Sequence, residues 1–360
     1  MSSRLVPLSL LLLAVTLVST LTSVNLARGA KPGGTPTAYA ITDLGSPRYR
    51  NWHLYWSRAY GINEPDNQGL MDIIGWDDLG SGSAIWEVRT NGVVVSRTNL
   101  ATGTKVTAVN DNGLIVGQLG NDLFANVPNV GVVVLPQSAD FFPAAVNNFG
   151  HVVSHHVFGT GAMWTIAADG TVSGPINLGT FCPLAINDSN EMAGLQDSTA
   201  AIAKFVNGVL QVSKLPGLSP GNLGVATAIN NWGHVVGYST NGSLDSGTYS
   251  PFLWTPGIGP NDGLKALGSL GGVHGKALGI NDVGQIVGWS YTYSPRNSEQ
   301  RAFLWESGKM FDLNGKVATD STRTLQSADG INNVGHIVGS MYSVQSKTTT
   351  LKTFLLTPTP

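Results

Sequence analysis

The sequence ALGINDVGQIVG at residues 277–288 carries the pattern that decides the fold. Two small residues, Ala277 and Gly279, precede an aliphatic residue and Asn281. Gly284 follows three positions later, and an aliphatic pair then leads into Gly288. Asparagine closes tight turns with its own side chain, and glycine accepts a positive φ without a Cβ clash. The stretch therefore predicts a strand, a tight turn and a second strand.

The same pattern recurs along the chain. Its asparagines are Asn63, Asn110, Asn147, Asn187, Asn230, Asn281 and Asn332, with spacings of 47, 37, 40, 43, 51 and 51 residues. The fourth copy has Asn190 in place of the turn glycine, and the first copy carries an insertion at residues 64–68. We interpret each asparagine as a turn residue rather than a ligand, because the turn explains both the asparagine and the glycine that follows.

Two further short strands are predicted between successive turns. The first contains a tryptophan in several copies (Trp86, Trp164, Trp254 and Trp305), and the second follows a glycine-containing turn. Four strands in about 45 residues match one blade of a propeller. The sequence thus predicts an all-β, seven-bladed β-propeller with its tryptophans packed between blades. An open β-solenoid is the alternative, but units that vary from 37 to 51 residues suit independent blades better.

The two ends of the repeat region complement each other. The last turn is followed by TFLLTP at residues 353–358, which is a third strand without a fourth. AYAITDLG at residues 38–45 precedes the first turn and matches the fourth-strand type. We predict that these segments pair, so that the N-terminal strand completes the last blade, closes the ring and removes two exposed strand edges.

Several copies resemble a known family. The stretches AFLWESGKMFDLNG at residues 302–315 and ADGINNVGHIVGS at residues 328–340 are similar to the HAF repeat of probable extracellular bacterial proteins. The copy at residues 251–290 also keeps the Leu-Gly-x-Leu-Gly-Gly stretch. The resemblance covers residues 38–357 in seven copies and weakens at Ser154, which replaces a glycine, and at residues 191–193. It implies an exported repeat protein with no established enzymatic activity, and it supplies no catalytic residues.

The N-terminus has the order of a secretory signal peptide. Arg4 precedes an apolar run at residues 5–18, and small and polar residues follow. We assign residues 1–30 to the signal peptide without fixing its cleavage site, residues 31–37 to a linker and residues 38–357 to one propeller. An uncleaved anchor is the alternative, because residues 5–26 are long enough to cross a bilayer. The expected location is secreted, extracellular or periplasmic, with no membrane span in the mature chain.

Composition narrows the function classes. The 360 residues carry a net charge of −2, which argues against a nucleic-acid partner, and 42% hydrophobic residues argue against disorder. Cys182 is the single cysteine, so no intrachain disulfide is possible; we expect a buried thiol and a monomer. No nucleophile elbow, zinc helix or phosphate loop occurs, and no cofactor is expected.

Other groups with metal-binding chemistry have structural explanations. His151, His234 and His336 hold equivalent places in blades 3, 5 and 7, too far apart to share a metal. The adjacent His155 and His156 point to opposite faces of a strand and are expected to be solvated. Four aspartates surround the first turn and could suggest calcium, but a polar surface insertion explains them better. They are Asp66, Asp72, Asp77 and Asp78.

Two functions remain open. The first is a binding or structural module for a glycan, a cell surface or a protein. The second is a propeller-scaffold enzyme such as a glycoside hydrolase or lyase, which needs carboxylates at the channel mouth. The predicted innermost strands offer only Asp329 as a carboxylate, which favours binding over catalysis.

A partner-binding sector is predicted on the face opposite the asparagine turns. Three long connections, at residues 240–248, 291–300 and 342–351, fall in consecutive blades, and residues 46–57 enter the first blade beside them. Aromatic and arginine side chains are common interface anchors. The candidate residues are Tyr49, Arg50, Trp52, Tyr55, Trp56, Tyr291, Tyr293 and Arg296.

Overall fold

The computed structural model describes residues 38–45, 57–77, 82–156, 158–219, 223–242, 244, 247–257, 263–293, 299–318, 320–345 and 348–359. This part of the chain forms strands and one short 3-10 turn at Leu313–Gly315. A helix long and apolar enough to span a membrane is not found among these residues.

The described residues form 28 strands. In chain order they are β1 (Ala38–Asp43), β2 (Ser57–Ile62), β3 (Leu70–Asp77), β4 (Gly82–Arg89), β5 (Val94–Thr102), β6 (Thr104–Val109), β7 (Ile115–Leu119), β8 (Asp122–Val127), β9 (Gly131–Val134), β10 (Phe141–Val146), β11 (His151–His156), β12 (Gly161–Ile166), β13 (Val172–Asn177) and β14 (Cys182–Ile186). They continue as β15 (Met192–Gln196), β16 (Thr199–Val206), β17 (Val209–Lys214), β18 (Leu223–Ile229), β19 (Val235–Thr240), β20 (Tyr249–Trp254), β21 (Leu264–Ala266), β22 (Gly271–Ile280), β23 (Ile286–Thr292), β24 (Gln300–Glu306), β25 (Lys309–Asp312), β26 (Arg323–Ile331), β27 (Ile337–Gln345) and β28 (Thr348–Thr359).

These strands form seven antiparallel sheets of four strands, which are the blades of a β-propeller. From the channel outward, blade 1 is β2-β3-β4-β5, blade 2 is β6-β7-β8-β9, blade 3 is β10-β11-β12-β13, blade 4 is β14-β15-β16-β17, blade 5 is β18-β19-β20-β21, blade 6 is β22-β23-β24-β25 and blade 7 is β26-β27-β28-β1. The seven-bladed propeller predicted from the repeats is confirmed.

Blade 7 is built from both ends of the repeat region, as predicted. β1 pairs antiparallel with β28, from Ala38 opposite Thr359 to Asp43 opposite Phe354. The Lys352 ammonium lies 2.9 Å from the Asp43 carboxylate across this pair. The first and last strands of the chain therefore close the ring.

Every first strand contains a β-bulge at the small-x-small part of the repeat. The register shifts between Ala59 and Gly61 in blade 1 and at the equivalent place in the other six. The extra residues are Tyr60, Thr107, Ala144, Leu184, Thr227, Leu278 and Asp329. A bulge bends and twists its strand locally, so the flanking positions favour small side chains.

The glycine that ends the repeat sits against this bulged strand. A Cβ added at Gly288 would lie only 2.0 Å from the carbonyl oxygen of Lys276, so a side chain has no room there. Blade 3 places Ser154 at this position, and its hydroxyl donates a 2.5 Å hydrogen bond to the carbonyl of Phe142. That hydrogen bond explains how the one serine copy retains the blade geometry.

The hydrophobic core lies between blades. Trp164 of blade 3 packs with Val116 and Leu123 of blade 2, and Trp305 of blade 6 packs with Val236 of blade 5. Trp86 and Trp254 are also buried in clusters shared by two blades. The predicted role of the tryptophans as inter-blade packing residues agrees with these positions, and each blade depends on its neighbours for its core.

Candidate functional site

The turns at the seven asparagines form one face of the propeller, which we call the asparagine face. Each asparagine donates a hydrogen bond from Nδ2 to the backbone carbonyl of the asparagine in the next blade, at 2.8 to 3.3 Å. The last of these bonds runs from Asn332 back to Asn63. The seven side chains thus form a closed ring around the channel, which we call the asparagine ring. All seven are buried.

A second ring lies at the next residue of each turn. Its members are Glu64, Asp111, Asn148, Asp188, Asn231, Asp282 and Asn333. The backbone N–H of each donates to the side-chain oxygen of the member in the next blade, at 2.5 to 3.0 Å. Neighbouring blades are therefore joined twice at the asparagine face.

The two rings line an open polar cavity of about 180 Å³ at this end of the channel. The pKa of Glu64 is raised to about 7, with burial as the largest cause. The Asn333 backbone hydrogen bond lowers this pKa, and the negative charges of Asp111 and Asp282 raise it. No cluster of three or more His, Cys, Asp or Glu side chains in the described ranges is placed to hold a metal ion. The cavity therefore contains the Glu64 carboxyl, which takes up a proton near neutral pH, beside oxygens that already accept hydrogen bonds.

Asp329 is the only carboxylate within the innermost strands that the structure describes, but the turns that follow these strands add more carboxylates at the channel. Four carboxylates of the second ring line the cavity: Glu64, Asp111, Asp188 and Asp282. They were missed because they lie one residue beyond the first strands, in the turns. Aligning the seven copies at the residue after each asparagine shows only acids and amides there, and that is the signal that identifies them.

Aromatic side chains concentrate on the opposite side of the propeller, which we call the aromatic face. In blades 5 and 6 five rings contact one another in sequence: Tyr238, Tyr249, His274, Tyr291 and Trp289. The ring centroids of successive members lie 5.4 to 5.7 Å apart. We call this group the aromatic strip.

A charged group is integrated into the strip. The Lys276 ammonium lies 4.1 Å from the ring centroid of Tyr238 and 4.2 Å from that of Tyr249. Both distances are within the range of cation–π attraction, which fixes the lysine over the two rings. Beside Tyr291 the backbone of Gly272 comes close, since an added Cβ there would lie 2.6 Å from the carbonyl oxygen of Tyr291. The close approach of these two strands places Tyr291 beside His274.

A cleft of about 480 Å³ adjoins the strip. Its walls come from blades 6, 7 and 1, and we call it the aromatic cleft. The lining residues are Tyr60, Trp76, Trp289, Gln300, Gln326, Ser327, Ser340, Tyr342 and Leu351. Trp289 belongs to both the strip and the cleft, so the two features form one continuous surface across blades 5, 6, 7 and 1.

The aromatic positions follow from the repeat. Trp76, Tyr238 and Trp289 each follow the glycine that ends the repeat, and Tyr60 is the extra residue of a bulge. The sequence analysis did not group the aromatic side chains of Trp76, Tyr238 and Trp289, and it did not identify Tyr60 or Tyr342. The signal is again an alignment of the repeats: the residue after the glycine is aromatic only in blades 1, 5 and 6, apart from His155 in blade 3.

Two of the predicted partner-binding residues lie in the described residues. Tyr291 is part of the aromatic strip, and Tyr293 is 75% exposed beside it. The other six lie outside the described residues: Tyr49, Arg50, Trp52, Tyr55, Trp56 and Arg296. Their contribution to the sector stays a prediction.

The prediction of a long connection at residues 342–351 was wrong. Residues 342–351 continue the pairing of β27 with β28, up to Gln345 opposite Thr348, and so form a strand hairpin instead of a long connection. The segment is rich in threonine, whose branched Cβ favours extended backbone, and this outweighs its polarity.

The remaining candidates occupy structural positions. His336 is buried, its Nε2 lies 2.8 Å from the carbonyl oxygen of Thr90, and burial lowers its pKa. His155 and His156 are half-buried against Phe142 and Phe141 rather than solvated. Cys182 is half-buried, and burial raises the pKa of its thiol.

The aspartates around the first turn also have local roles where the structure describes them. Asp66 accepts hydrogen bonds from the backbone N–H groups of Gln68 and Leu70, both at 2.8 Å. Burial raises the pKa of the Asp72 carboxyl. The Asp77 side chain and Asp78 lie outside the described residues.

Known structures share this architecture. The chain is similar to a streptogramin B lyase structure, with 15% identity over 89% of this chain and 98% of that chain, and a TM-score of 0.53. It is similar to the RRP9 WD40 repeats, with 11% identity over 89% and 98% of the two chains and a TM-score of 0.53. A structure of YCF48 bound to D1 peptide gives 11% identity, 90% and 95% coverage and a TM-score of 0.52.

No family model matches the sequence, and no curated protein matches it. At such low identity the structural neighbours establish the propeller fold alone. Propellers with a lyase activity and propellers that bind a peptide both occur among them, and a fold of this kind does not by itself specify a function.

Proposed function

We propose that this chain is an exported, non-catalytic binding module that presents the aromatic face of its propeller to an extracellular glycan or protein. The carrying observation is the continuous surface formed by the aromatic strip and the aromatic cleft. The strip rings and Trp76 are half-buried, whereas Tyr60 and Tyr342 are 40% exposed. Aromatic side chains that are partly exposed and grouped on one side of a rigid scaffold are typical of recognition sites. The four blades concerned are the blades in which the long connections were predicted.

The export part of the proposal depends on the N-terminal segment and the repeats. The charged, apolar and then small residues at positions 1–30 have the order of a signal peptide. The resemblance of the repeats to the HAF repeat of extracellular bacterial proteins points to the same compartment. A secreted or periplasmic location follows, with the propeller as the exported body.

Catalysis is the second candidate, and the protonatable Glu64 favours it. A glycoside hydrolase or lyase needs a carboxyl group that is protonated near neutral pH beside a second carboxylate. Glu64 meets the first condition. However, the acids of the second ring accept backbone hydrogen bonds from neighbouring blades, which assigns them a structural task.

The test is a parallel screen of the purified exported chain. It is applied to arrays of glycans and of extracellular proteins, and every bound compound is then assayed for cleavage or elimination. We expect binding without turnover. Release of product that is lost in Glu64→Gln but retained in Tyr293→Ala would contradict the non-catalytic assignment and move the site to the asparagine face.

A further inference from the structure

The lining of the aromatic cleft has a specific chemistry. It consists of four aromatic rings, two glutamine amides, two serine hydroxyls and one leucine, and no charged side chain lines it within the described part of the chain. The amide of Gln300 donates at 3.3 Å to the backbone carbonyl of Gln326, so one side of the cleft is ordered. The cleft thus combines flat apolar surfaces with neutral donors and acceptors.

A sugar ring has the complementary chemistry. One of its faces is composed of C–H groups, which pack against an aromatic ring, and its rim carries hydroxyls that both donate and accept hydrogen bonds. Amides and hydroxyls can do both as well, whereas an ionised ligand would be left without a counter-charge in the cleft. The lining therefore favours an uncharged ligand with many hydroxyls.

The dimensions favour a small ligand over a protein surface. A cleft of about 480 Å³ is within the usual range of small-molecule sites. A standard protein interface instead buries roughly 800 Å² on each partner over a broad area. Because Trp289 continues the cleft into the aromatic strip, a ligand longer than one sugar unit can extend from the cleft toward Tyr291 and His274.

We propose that the aromatic cleft binds a neutral oligosaccharide, with sugar rings packed on Trp76 and Trp289 and hydroxyls bound by Gln326 and Ser340. This inference rests on the proposed binding function and names its ligand class. The sugar chain continues along the aromatic strip, where Tyr291 and His274 provide further ring contacts.

The experiment titrates the exported chain with neutral oligosaccharides of two to six units (cello-, xylo-, manno-, malto- and fully N-acetylated chito-oligosaccharides) and follows tryptophan fluorescence and heat. Oligogalacturonates of the same lengths serve as the charged comparison. We expect at least one neutral series to bind, with affinity rising with length. Trp289→Ala should weaken this binding by at least about tenfold.

Two further variants separate loss of the site from loss of the fold. Tyr342→Ala changes a side chain that is 40% exposed, and it should also weaken binding, by about threefold or more, with an unchanged melting temperature. Trp232→Ala is the matched control. Trp232 is 58% exposed on the asparagine face, where its indole donates to the carbonyl of Asp282, so its removal should leave the affinity within about twofold.

The possible failures are distinguishable. If no neutral oligosaccharide binds, or if oligogalacturonates bind more tightly, the proposed ligand class is wrong. The proposed binding function still holds in that case if the screen captures a protein or an acidic glycan. Equal loss in Trp232→Ala and Trp289→Ala would overturn the placement in the cleft. Turnover of a bound oligosaccharide would overturn the non-catalytic function itself.

Discussion

At the residue scale, each turn asparagine forms hydrogen bonds through both atoms of its side-chain amide, the Oδ1 oxygen and the Nδ2 nitrogen. In Asn230 the Oδ1 atom accepts hydrogen bonds from the backbone N–H groups of Trp232 and His234, at 3.1 and 2.9 Å. Its Nδ2 atom donates to Asn281 of the next blade at 3.0 Å. Aspartate lacks this donor, and the serine side chain is too short to bond both its own turn and the next blade. The asparagine thus closes its own turn and holds the next blade.

Asn230→Ala should lower the free energy of unfolding by about 2 kcal/mol or more, because buried backbone groups lose their partners on two blades. Asn91→Ala is the matched control. Asn91 caps only the N–H of Val93 on an exposed hairpin, at 3.2 Å, and its loss should cost less than about 1 kcal/mol. Chemical denaturation of both variants measures the difference, and equal costs would argue against the inter-blade role.

Glu64 makes stability depend on pH. Burial is the main reason that its pKa is raised from 4.5 to about 7 in the folded chain. The folded state therefore holds this proton more tightly than the unfolded state. The stabilisation is fully present below the unfolded pKa and is lost as the pH rises through about 7.

Glu64→Gln removes the titration but keeps an oxygen that can accept from the Asn333 backbone. We expect the variant to lose less stability than the parent between about pH 5 and pH 8. Buried histidines such as His336 act in the opposite direction, because their pKa is lowered. Comparing parent and variant in the same buffers isolates Glu64. Parallel stability curves would show that Glu64 does not titrate in this range.

At the scale of single elements, β1 connects blade 7 to both of its neighbours. Its Tyr39 is buried in the cluster shared with blade 6, and Leu44 is buried in the cluster shared with blade 1. The Tyr39 N–H donates to the carbonyl of Lys316 at 2.7 Å, and the Thr42 hydroxyl donates to that of Gly92 at 3.2 Å. One strand therefore contacts three blades.

Deleting residues 38–45 should cost at least about 3 kcal/mol, since burying a large apolar side chain contributes roughly 1.5–3 kcal/mol and two such side chains are lost. The exposed edge of β28 should also promote association. Deleting residues 31–37 instead removes only the segment before β1 and serves as the control. Calorimetry and light scattering measure both effects, and a monomeric variant with the parent's melting temperature would contradict closure by β1.

The repeat pattern predicts the elements well because each position has one physical cause. Asn281, Gly284 and Gly288 are fixed by a turn, a positive φ of 85° and a close approach to Lys276, respectively. The bulge at Leu278 was not predicted, since an extra residue in a strand leaves no mark in simple alternation. The second ring was missed for a related reason: its acids lie in turns, and their partners are in other blades.

At the scale of the whole molecule, the two faces have different compositions. The asparagine face is made of ring hydrogen bonds repeated in every blade, whereas the aromatic face varies from blade to blade. Residues that recur in every copy have structural roles in the propeller. We therefore expect the ligand to be bound by residues that differ between copies. The sequence predicted its partner-binding sector in the same four blades, which stays a prediction. It could not indicate the cleft, because Tyr60, Trp289 and Tyr342 come from three separate blades.

The most direct test of the account is hydrogen exchange of the exported chain with and without a saturating ligand from the screen. We predict slower exchange in the peptides that carry Tyr238, Trp289 and Tyr342, and unchanged exchange in the turns at Asn110, Asn147 and Asn187. Ligand-induced protection confined to those asparagine turns, with no change around Trp289, would contradict recognition by the aromatic face.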